Sequence, residues 1–374
     1  MIIAITGVGA FSALGSSAQA TFDGLCQGRS GLQDAPVWGE RGPVGMLDHQ
    51  QPRTSAGLAL DACREALGGL PIPNGLAVVG ATTSAGMTQA EEAWKALAAA
   101  GDTEQDRFDI WPQLCHQPTQ RVARALRAMG PRMSLSSACT SGACAVGVAA
   151  DLVRAGRAPA ALAFGADALC DTTVHGFASL GLYDPDPCRP FHADRRGLNL
   201  GEAAGALLLE PLEAALARGA IPIALLAGYG NSSDAHRLTA PEPGGHAAGV
   251  AIRTALGDVP AAQVGWVCAH ATGTPINDQV EAEVLRRELP NAAVAGFKGA
   301  VGHTLGAAGA LEAVLTALAI HQRRQPPHQG ADGGAFPGLK LQTAPAARTL
   351  DAAMSVNFAF GGHNTALLIT RYTP

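Results

Sequence analysis

Short apolar runs alternate with amphipathic segments along most of the chain. Apolar runs bounded by turn residues predict strands at residues 2–6, 76–80, 160–165 and 205–209, and residues 133–137 also have the pattern of a strand. Apolar positions at helical spacing, with charged positions between them, predict helices at residues 53–67, 89–100, 119–129 and 212–218. Because strands and helices alternate, the pattern favours parallel βαβ units and an α/β fold.

The stretch at residues 133–155 is a strand followed by a helix of small residues, and the stretch at residues 294–320 repeats this plan. The second stretch consists of the strand VAGFKGA and the helix TLGAAGALEAVLTALAI. Helices built from Ala and Gly allow close packing on both of their sides. We therefore predict two similar βα halves that face each other in one body, at residues 1–218 and 219–374.

Composition narrows the class of protein. Of the 374 residues, 47% are hydrophobic and 15% are charged, which is typical of a densely packed globular enzyme. The net charge of −5 argues against a nucleic-acid partner. No apolar run reaches the roughly 20 residues of a membrane span. The apolar N-terminus has no basic residue before Arg29, so it is interpreted as a first buried strand rather than a signal peptide.

Cys139 stands out among eight scattered cysteines, which form no C-x-x-C pair and predict free thiols in a reducing cytoplasm without a metal site. It follows the strand SLSSA and opens the helix TSGACAVGVAADL. A helix N-terminus offers unpaired N–H groups and the positive end of the macrodipole, which favour a thiolate and lower the thiol pKa. Cys139 is therefore a candidate nucleophile. The alternative is a buried structural cysteine, which is how the neighbouring Cys144 is interpreted.

Two further segments carry candidate catalytic groups. His270 lies at the end of an apolar strand in CAHATGTPIND, where it is placed to face a pocket. In KGAVGHTLGAAG, Lys298 precedes His303, which introduces a buried helix that also contains Glu312. A charged Glu among apolar residues is costly unless it is paired, and Lys298 is its predicted partner. A structural ion pair without a catalytic role remains an alternative for these two residues.

The segment NFAFGGHN near the C-terminus combines aromatic residues with a pair of glycines after Phe360. Paired glycines permit a tight turn with free N–H groups, and such a turn can supply an oxyanion-hole donor. The alternative is an ordinary glycine-rich end of a strand. The adjacent aromatic residues favour a position at the wall of a pocket.

Together, SSACTSG, HATGTPIND, KGAVGHTLGAAGALEA and NFAFGGHN resemble, in order and spacing, the motifs of β-ketoacyl-acyl carrier protein synthases of the KAS I/II type. The resemblance extends from about residue 1 to residue 372. It implies the thiolase fold, in which two duplicated α/β halves form a five-layer αβαβα sandwich, and it implies a dimer. Such a fold agrees with the internal repeat.

The resemblance also assigns roles to the catalytic residues. It implies that Cys139 is the acyl-accepting nucleophile and that His270 and His303 complete a Cys-His-His triad. Lys298 matches the lysine that organises the site in this family, and Glu312 is its structural ion-pair partner. No metal ion and no cofactor are implied.

Substrate contacts are implied in the same way. Thr272 and Thr274 match threonines that contact the pantetheine arm. Phe360 matches the gating phenylalanine beside the thioester, and its N–H, together with that of Cys139, would form the oxyanion hole. Arg189, in CRPF, matches a position near the entrance where the phosphate of the carrier passes.

The implied activity is that of a 3-oxoacyl-[acyl carrier protein] synthase. This acyltransferase condenses malonyl-carrier with an acyl-cysteine intermediate and extends the chain by two carbons. The implied partners are the acyl carrier protein and a second subunit, either a copy of this chain or a chain-length-factor-like protein. The segments GADALCDTTVHGFASL, RRGLNLGEAAG and NFAFGGHN resemble synthases of aryl polyene and related polyketide pathways more than those of fatty acid biosynthesis.

Other classes fit the residues less well. A thiolase needs a second catalytic cysteine in a C-x-G motif, and the last cysteine of this chain, Cys268, precedes His270. Synthases of the KAS III type have Asn where this chain has His303. A non-elongating chain-length factor typically lacks the nucleophile. The glycine-rich segment TGVGAFSALG could indicate a dinucleotide-binding site, but it lacks the third glycine and the acidic residue of the dinucleotide-binding fingerprint.

The chain also departs from the family pattern. Ala271 replaces the usual Gly after the first histidine, Ala359 replaces Gly before the gating Phe360, and His363 replaces the usual Thr. Residues 101–118 are abbreviated where members carry a dimer-contacting segment. These differences bear on the shape of the acyl pocket and on the geometry of the dimer.

Overall fold

The computed structural model describes residues 1–35, 42–47, 53–100, 111–330 and 335–374. Its strands are β1 (Ile3–Phe11), β2 (Leu32–Gln33), β3 (Val44–Gly45), β4 (Ala77–Ala81), β5 (Arg132–Leu135), β6 (Ala161–Asp167), β7 (Ala203–Pro211), β8 (Ala224–Ser233), β9 (Val264–Cys268), β10 (Ala293–Ala295), β11 (Ala352–Phe358) and β12 (His363–Thr370). Its α-helices are α1 (Ala18–Cys26), α2 (Ser55–Leu67), α3 (Met87–Ala100), α4 (Gln117–Ala125), α5 (Ser141–Arg154), α6 (Asp171–Ser179), α7 (Leu212–Ala217), α8 (His246–Leu256), α9 (Pro275–Glu288), α10 (Lys298–Val301) and α11 (Ala308–His321).

The predicted elements are present with shifted ends, except for one strand. The sequence predicts a strand over residues 294–300, whereas β10 ends at Ala295 and the chain then turns into the short helix α10. Lys298 therefore begins a helical turn instead of lying in the sheet. Of the segment predicted to be abbreviated, residues 101–110 lie outside the described residues.

Ten strands form one sheet in the order β10-β9-β11-β12-β8-β1-β7-β6-β4-β5. The same arrangement occurs twice: β5, β4 and β6 are parallel neighbours followed by antiparallel β7 and β1, and β10, β9 and β11 are parallel neighbours followed by antiparallel β12 and β8. The two sets join where Ile3–Ile5 pairs with Ala224–Leu226. The strand order thus repeats as the internal sequence repeat predicts, and the proposed division at residue 218 stays a prediction.

Helices cover both faces of each set of strands. Helix α2 packs on β1 and β7, α4 packs on β4, and α8 packs on β8 and β12. Helices α5 and α11 lie between the two sets and contact each other and strands of both. This is the five-layer arrangement that the resemblance implies. Among the described helices, none is long and apolar enough to cross a membrane.

The central helices approach closely because glycines face the opposite helix. A Cβ at Gly142 would lie 2.6 Å from the backbone nitrogen of Ala310, and a Cβ at Gly309 would lie 2.5 Å from that of Ala143. Any larger residue at these two positions would push the helices apart. The start of α5, which follows Cys139, is thereby brought against the start of α11, which follows His303.

Candidate active site

Cys139 is presented by a tight turn between β5 and α5. Ala138, just before it, has a φ of 51°, in the left-handed region that side chains other than glycine adopt at a cost. Two hydroxyl groups hold this turn: Thr140 Oγ1 donates to the Ser137 carbonyl oxygen at 2.7 Å, and Ser141 Oγ accepts the Ser137 N–H at 2.8 Å. The thiol is therefore fixed at the start of the helix, as the sequence predicts.

The predicted triad converges in space. His303 Nε2 lies 3.0 Å from Cys139 Sγ. The His270 ring stands almost perpendicular to the His303 ring, with 5.4 Å between ring centroids. One donor atom from each of the three residues lies within 4.8 Å of the others, and all three residues are buried. In this arrangement both imidazoles can form hydrogen bonds with one small group beside the thiol.

The hydrogen bonds of His303 define its tautomer. The Leu305 N–H donates to His303 Nδ1 at 3.1 Å, so the ring proton resides on Nε2 and points towards Cys139. A thiolate with two imidazoles would suit a zinc ion by donor type. Coordination by Nε2, however, would move the proton to Nδ1, against the Leu305 N–H. The geometry therefore favours His303 as a hydrogen-bond donor over a metal ligand.

Burial controls the protonation of all three groups. It raises the pKa of the Cys139 thiol to about 11, although the charge of Lys298 and the N–H groups of Phe360 and Cys139 act in the opposite direction. The predicted lowering of this pKa by the helix N-terminus is therefore wrong in its net direction. Burial and the Lys298 charge hold the pKa values of His270 and His303 well below their usual range. Both rings are neutral at pH 7.

Lys298 and Glu312 form the predicted ion pair. Lys298 Nζ lies 2.6 Å from Glu312 Oε1 and donates to the His270 carbonyl oxygen at 2.5 Å. Asn357 Nδ2 donates to the other Glu312 carboxylate oxygen at 2.5 Å. All of these side chains are buried. The pair thus ties α10, α11 and β11 to the segment that carries His270.

Two carboxylates that the sequence analysis did not single out hold the loop around His270. Glu281 accepts the N–H groups of His270 and Ala271 at 2.6 and 2.8 Å, and Asp278 accepts the Gly273 N–H at 3.1 Å. Burial raises the pKa of Glu281 to about 8 and that of Asp278 to about 6. Their spacing of three residues on α9, directly after the HATGT loop, is the signal that could have identified them.

Ala271 packs against Gly296. Its φ is 43°, and a Cβ at Gly296 would lie 2.3 Å from the Ala271 Cβ. We expect Gly296→Ala to lower the free energy of unfolding by about 1–3 kcal/mol through overpacking. The double variant Ala271→Gly/Gly296→Ala should recover most of this loss, because the next atom in reach is His328 Cε1 at 3.6 Å. Denaturant unfolding measures both; a double variant no more stable than Gly296→Ala would contradict the contact.

A cavity of about 260 Å³ opens above the triad. Its wall includes the three triad residues and, as predicted, Thr272, Thr274 and Phe360. The two threonine hydroxyls lie 2.9 Å apart. The Phe360 ring stacks on that of Phe177, with 5.8 Å between centroids. Residues of this wall are mostly apolar, so the cavity suits an apolar chain better than a charged metabolite.

Arg189 lies apart from this cavity. It is half-buried, and its guanidinium donates to the Asp194 carbonyl oxygen at 3.2 Å. Lys298 and Glu312 are likewise absent from the cavity wall and act on it through His270. The structure therefore brings Cys139, His270, His303, Thr272, Thr274 and Phe360 to one site and leaves Arg189 outside it.

The turn after Phe360 supplies the second candidate oxyanion donor. Gly361 and Gly362 have φ values of 84° and 76°, which favour glycine. The Gly361 N–H donates to the Leu238 carbonyl oxygen and the Gly362 N–H to that of Ala359. The Phe360 N–H is left facing the Cys139 sulfur, beside the Cys139 N–H. Two N–H groups thus converge on the thiol.

Comparison with known proteins relates this chain to one family. The model of the β-ketoacyl synthase N-terminal domain matches residues 47–215, and that of the C-terminal domain matches residues 223–332. The 3-oxoacyl-[acyl-carrier-protein] synthase 2 of Synechocystis sp. is 32% identical over 99% of this chain and 98% of its own.

Two solved structures share the fold along the full chain. The ishigamide ketosynthase/chain length factor superposes with a TM-score of 0.90 at 29% identity, covering 100% of this chain and 99% of that one. The ketosynthase ApeO in complex with its chain length factor ApeC, from Xenorhabdus doucetiae, gives 0.88 at 28% identity, covering 99% and 98%. The predicted five-layer thiolase fold is confirmed, and the chain belongs to the β-ketoacyl synthase family of condensing acyltransferases.

Proposed function

We propose that the chain is a 3-oxoacyl-[acyl carrier protein] synthase that uses Cys139, His270 and His303 for a decarboxylating Claisen condensation. The observation that supports this most strongly is the convergence of one thiol, two neutral imidazoles and two N–H donors at the base of one apolar cavity. The reaction has two half-reactions, and each uses a different pair of donors.

In the first half-reaction, Cys139 Sγ attacks the thioester carbon of an acyl group that arrives on phosphopantetheine. The new C–S bond replaces the bond to the pantetheine sulfur, which leaves with the thiol proton. The oxygen becomes negative in the tetrahedral intermediate, and the N–H groups of Phe360 and Cys139 stabilise this charge. Because burial raises the thiol pKa, proton loss accompanies the attack instead of preceding it.

In the second half-reaction, malonyl-carrier binds and loses carbon dioxide, which leaves an enolate. Two neutral histidines donate to the enolate oxygen, and burial together with the nearby Lys298 charge keeps them neutral by lowering their pKa values. The enolate carbon then attacks the acyl-cysteine carbon, and Cys139 leaves as the thiolate. The product is a 3-oxoacyl group on the carrier, longer by two carbons.

The partners follow from this chemistry. The substrates arrive on an acyl carrier protein, with its phosphopantetheine arm along Thr272 and Thr274, and the chain's own residues carry out the chemistry without an added cofactor. The second subunit is a copy of this chain or a chain-length-factor-like protein, as in the ketosynthase complexes to which this chain is similar. Eight free thiols support a reducing, cytoplasmic location.

The two histidines distinguish the half-reactions. We expect His270→Ala and His303→Ala each to lower the condensation rate on the order of 10²- to 10³-fold, as the loss of an oxyanion donor does. Acylation of Cys139 by a preloaded acyl carrier should fall much less, because its oxyanion is held by backbone N–H groups. Intact-protein mass spectrometry measures acylation, and carbon dioxide release measures decarboxylation.

The pH profile provides an independent control. Since both histidines are already neutral, decarboxylation should show no inflection near pH 6.5, the usual pKa of imidazole. Equal losses of rate in both half-reactions would contradict the proposal that the histidines stabilise the enolate and the backbone N–H groups stabilise the oxyanion of acyl transfer. A wild-type protein that is neither acylated nor able to decarboxylate malonyl-carrier would instead support a non-elongating subunit.

Arg189 is proposed to guide the acidic carrier protein to the entrance rather than to contact the acyl chain. We expect Arg189→Glu to raise the KM for carrier-bound substrates more than for a short pantetheine thioester, and to flatten the salt dependence. The matched control is Arg157→Glu, an exposed arginine beyond the far end of α5. Equal effects on carrier-bound and truncated substrates would place the docking surface elsewhere.

A further inference from the structure

One side chain connects the two segments that carry the candidate oxyanion donors. His363 begins β12, directly after the Gly361–Gly362 turn that presents the Phe360 N–H. Its Nδ1 lies 3.0 Å from the hydroxyl of Thr140, the residue that follows Cys139. These partners are 223 positions apart in the sequence. The hydrogen bond therefore spans the site from the C-terminal turn to the nucleophile turn.

The direction of this hydrogen bond follows from the other contacts of Thr140. Its single hydroxyl proton is donated to the Ser137 carbonyl oxygen at 2.7 Å, so Oγ1 can only accept from the imidazole. His363 must then carry a proton on Nδ1. The bond thus has a fixed donor on the turn and a fixed acceptor on the nucleophile segment, and it restrains their separation.

Cys144 belongs to the same cluster and does not sit in purely apolar surroundings. Its Sγ lies 3.3 Å from Thr365 Oγ1 and 3.9 Å from His363 Nδ1, and the residue is only 5% exposed. Burial raises the Cys144 pKa, but hydrogen bonds with His363, Ser137 and Thr365 outweigh it and lower the pKa to about 7. The Cys144 sulfur thus lies beside the same Nδ1–H that Thr140 accepts.

We propose that His363 is a positioning residue. It holds the Phe360 and Cys139 N–H groups at the separation at which both can donate to the oxyanion of acyl transfer. This inference rests on the proposed function. Oxyanion donors act at 2.7–3.1 Å, and a misplacement of about 1 Å lowers rates substantially.

The proposal predicts a selective defect. The tetrahedral oxyanion of acyl transfer lies at the two N–H groups, whereas the enolate formed by decarboxylation lies at His270 and His303. Loss of His363 should therefore slow acylation of Cys139 and leave decarboxylation nearly unchanged. A purely structural role would lower both activities together with the melting temperature.

Three substitutions at His363 test the geometry by single-turnover acylation at saturating acyl carrier. We expect His363→Ala to lower the maximal acylation rate on the order of 10- to 100-fold with a smaller change in KM. His363→Asn should restore most of the rate, because its amide nitrogen takes the place of Nδ1. His363→Gln should not, because its amide nitrogen reaches the place of Nε2. Malonyl decarboxylation in a Cys139→Gln background should stay within about twofold on adding His363→Ala.

A double-mutant cycle with Thr140→Val keeps the proposal testable if one variant folds poorly. Two substitutions that break the same hydrogen bond should be strongly non-additive in the acylation rate. Wild-type acylation by folded His363→Ala, additive effects in the cycle, or equal loss of both half-reactions would each overturn the proposal. Failure of the wild-type protein to be acylated would contradict the proposed function instead.

Discussion

Cys139→Ala is expected to abolish the covalent acyl-enzyme while leaving the protein folded. No other thiol lies within reach of both His303 Nε2 and the Phe360 N–H among the described residues, so the acyl group has no alternative acceptor at this site. The side chain is small and the turn is held by Thr140 and Ser141, so its removal should alter the melting temperature little. Intact mass after incubation with an acyl carrier measures the loss.

The control for this experiment is Cys115→Ala, which removes the exposed cysteine and should retain the full acyl-enzyme signal. A second variant separates the half-reactions: Cys139→Gln should still decarboxylate malonyl-carrier, because its amide occupies the acyl position while the two histidines hold the enolate. A full mass shift in Cys139→Ala would place the nucleophile elsewhere. Loss of the acyl mass shift in Cys115→Ala would likewise contradict the assignment of Cys139 as the nucleophile.

Glu312→Ala is expected to lower the free energy of unfolding by about 3–5 kcal/mol, because it leaves the Lys298 ammonium buried without its counter-charge. The same change releases the Asn357 amide, which donates to the second carboxylate oxygen. Activity should fall as well, since Lys298 positions His270 through its carbonyl oxygen. Denaturant unfolding at pH 7 measures the loss of stability.

An exposed ion pair of similar length provides the matched control. Arg371 Nη2 lies 2.7 Å from Asp351 Oδ1, and the Asp351 side chain is 74% exposed. Asp351→Ala should change stability by no more than about 1 kcal/mol, because solvent already screens the pair. Equal effects of the two substitutions, or a Glu312→Ala protein as stable as wild type, would contradict the prediction. Either result would show that the stability of the protein does not depend on Glu312 more strongly because the pair is buried.

Much of the site follows from local sequence. Cys139 lies at a strand-to-helix junction because Met133 and Leu135 alternate with serines before it, as in a strand, while the residues after it are small enough to form a central helix. The glycines after Phe360 require a turn, and a Glu among apolar helical residues requires a counter-charge. Each of these conclusions depends on a preference that a few neighbouring residues express on their own.

The tertiary structure determines those properties of the site that depend on distances between remote residues and on burial. The pKa of Cys139 is raised, although the helix N-terminus alone predicts the opposite, because the surrounding helices exclude water from the thiol. Glu281 became part of the site only when α9 packed beneath the His270 loop. The hydrogen bond between His363 and Thr140 joins residues 223 positions apart in the sequence, and no local pattern encodes it. The sequence by itself determined which groups this protein has for its chemistry, whereas packing determined their protonation, their separation and their partners, since solvent exclusion and long-range contacts exist only in the folded chain.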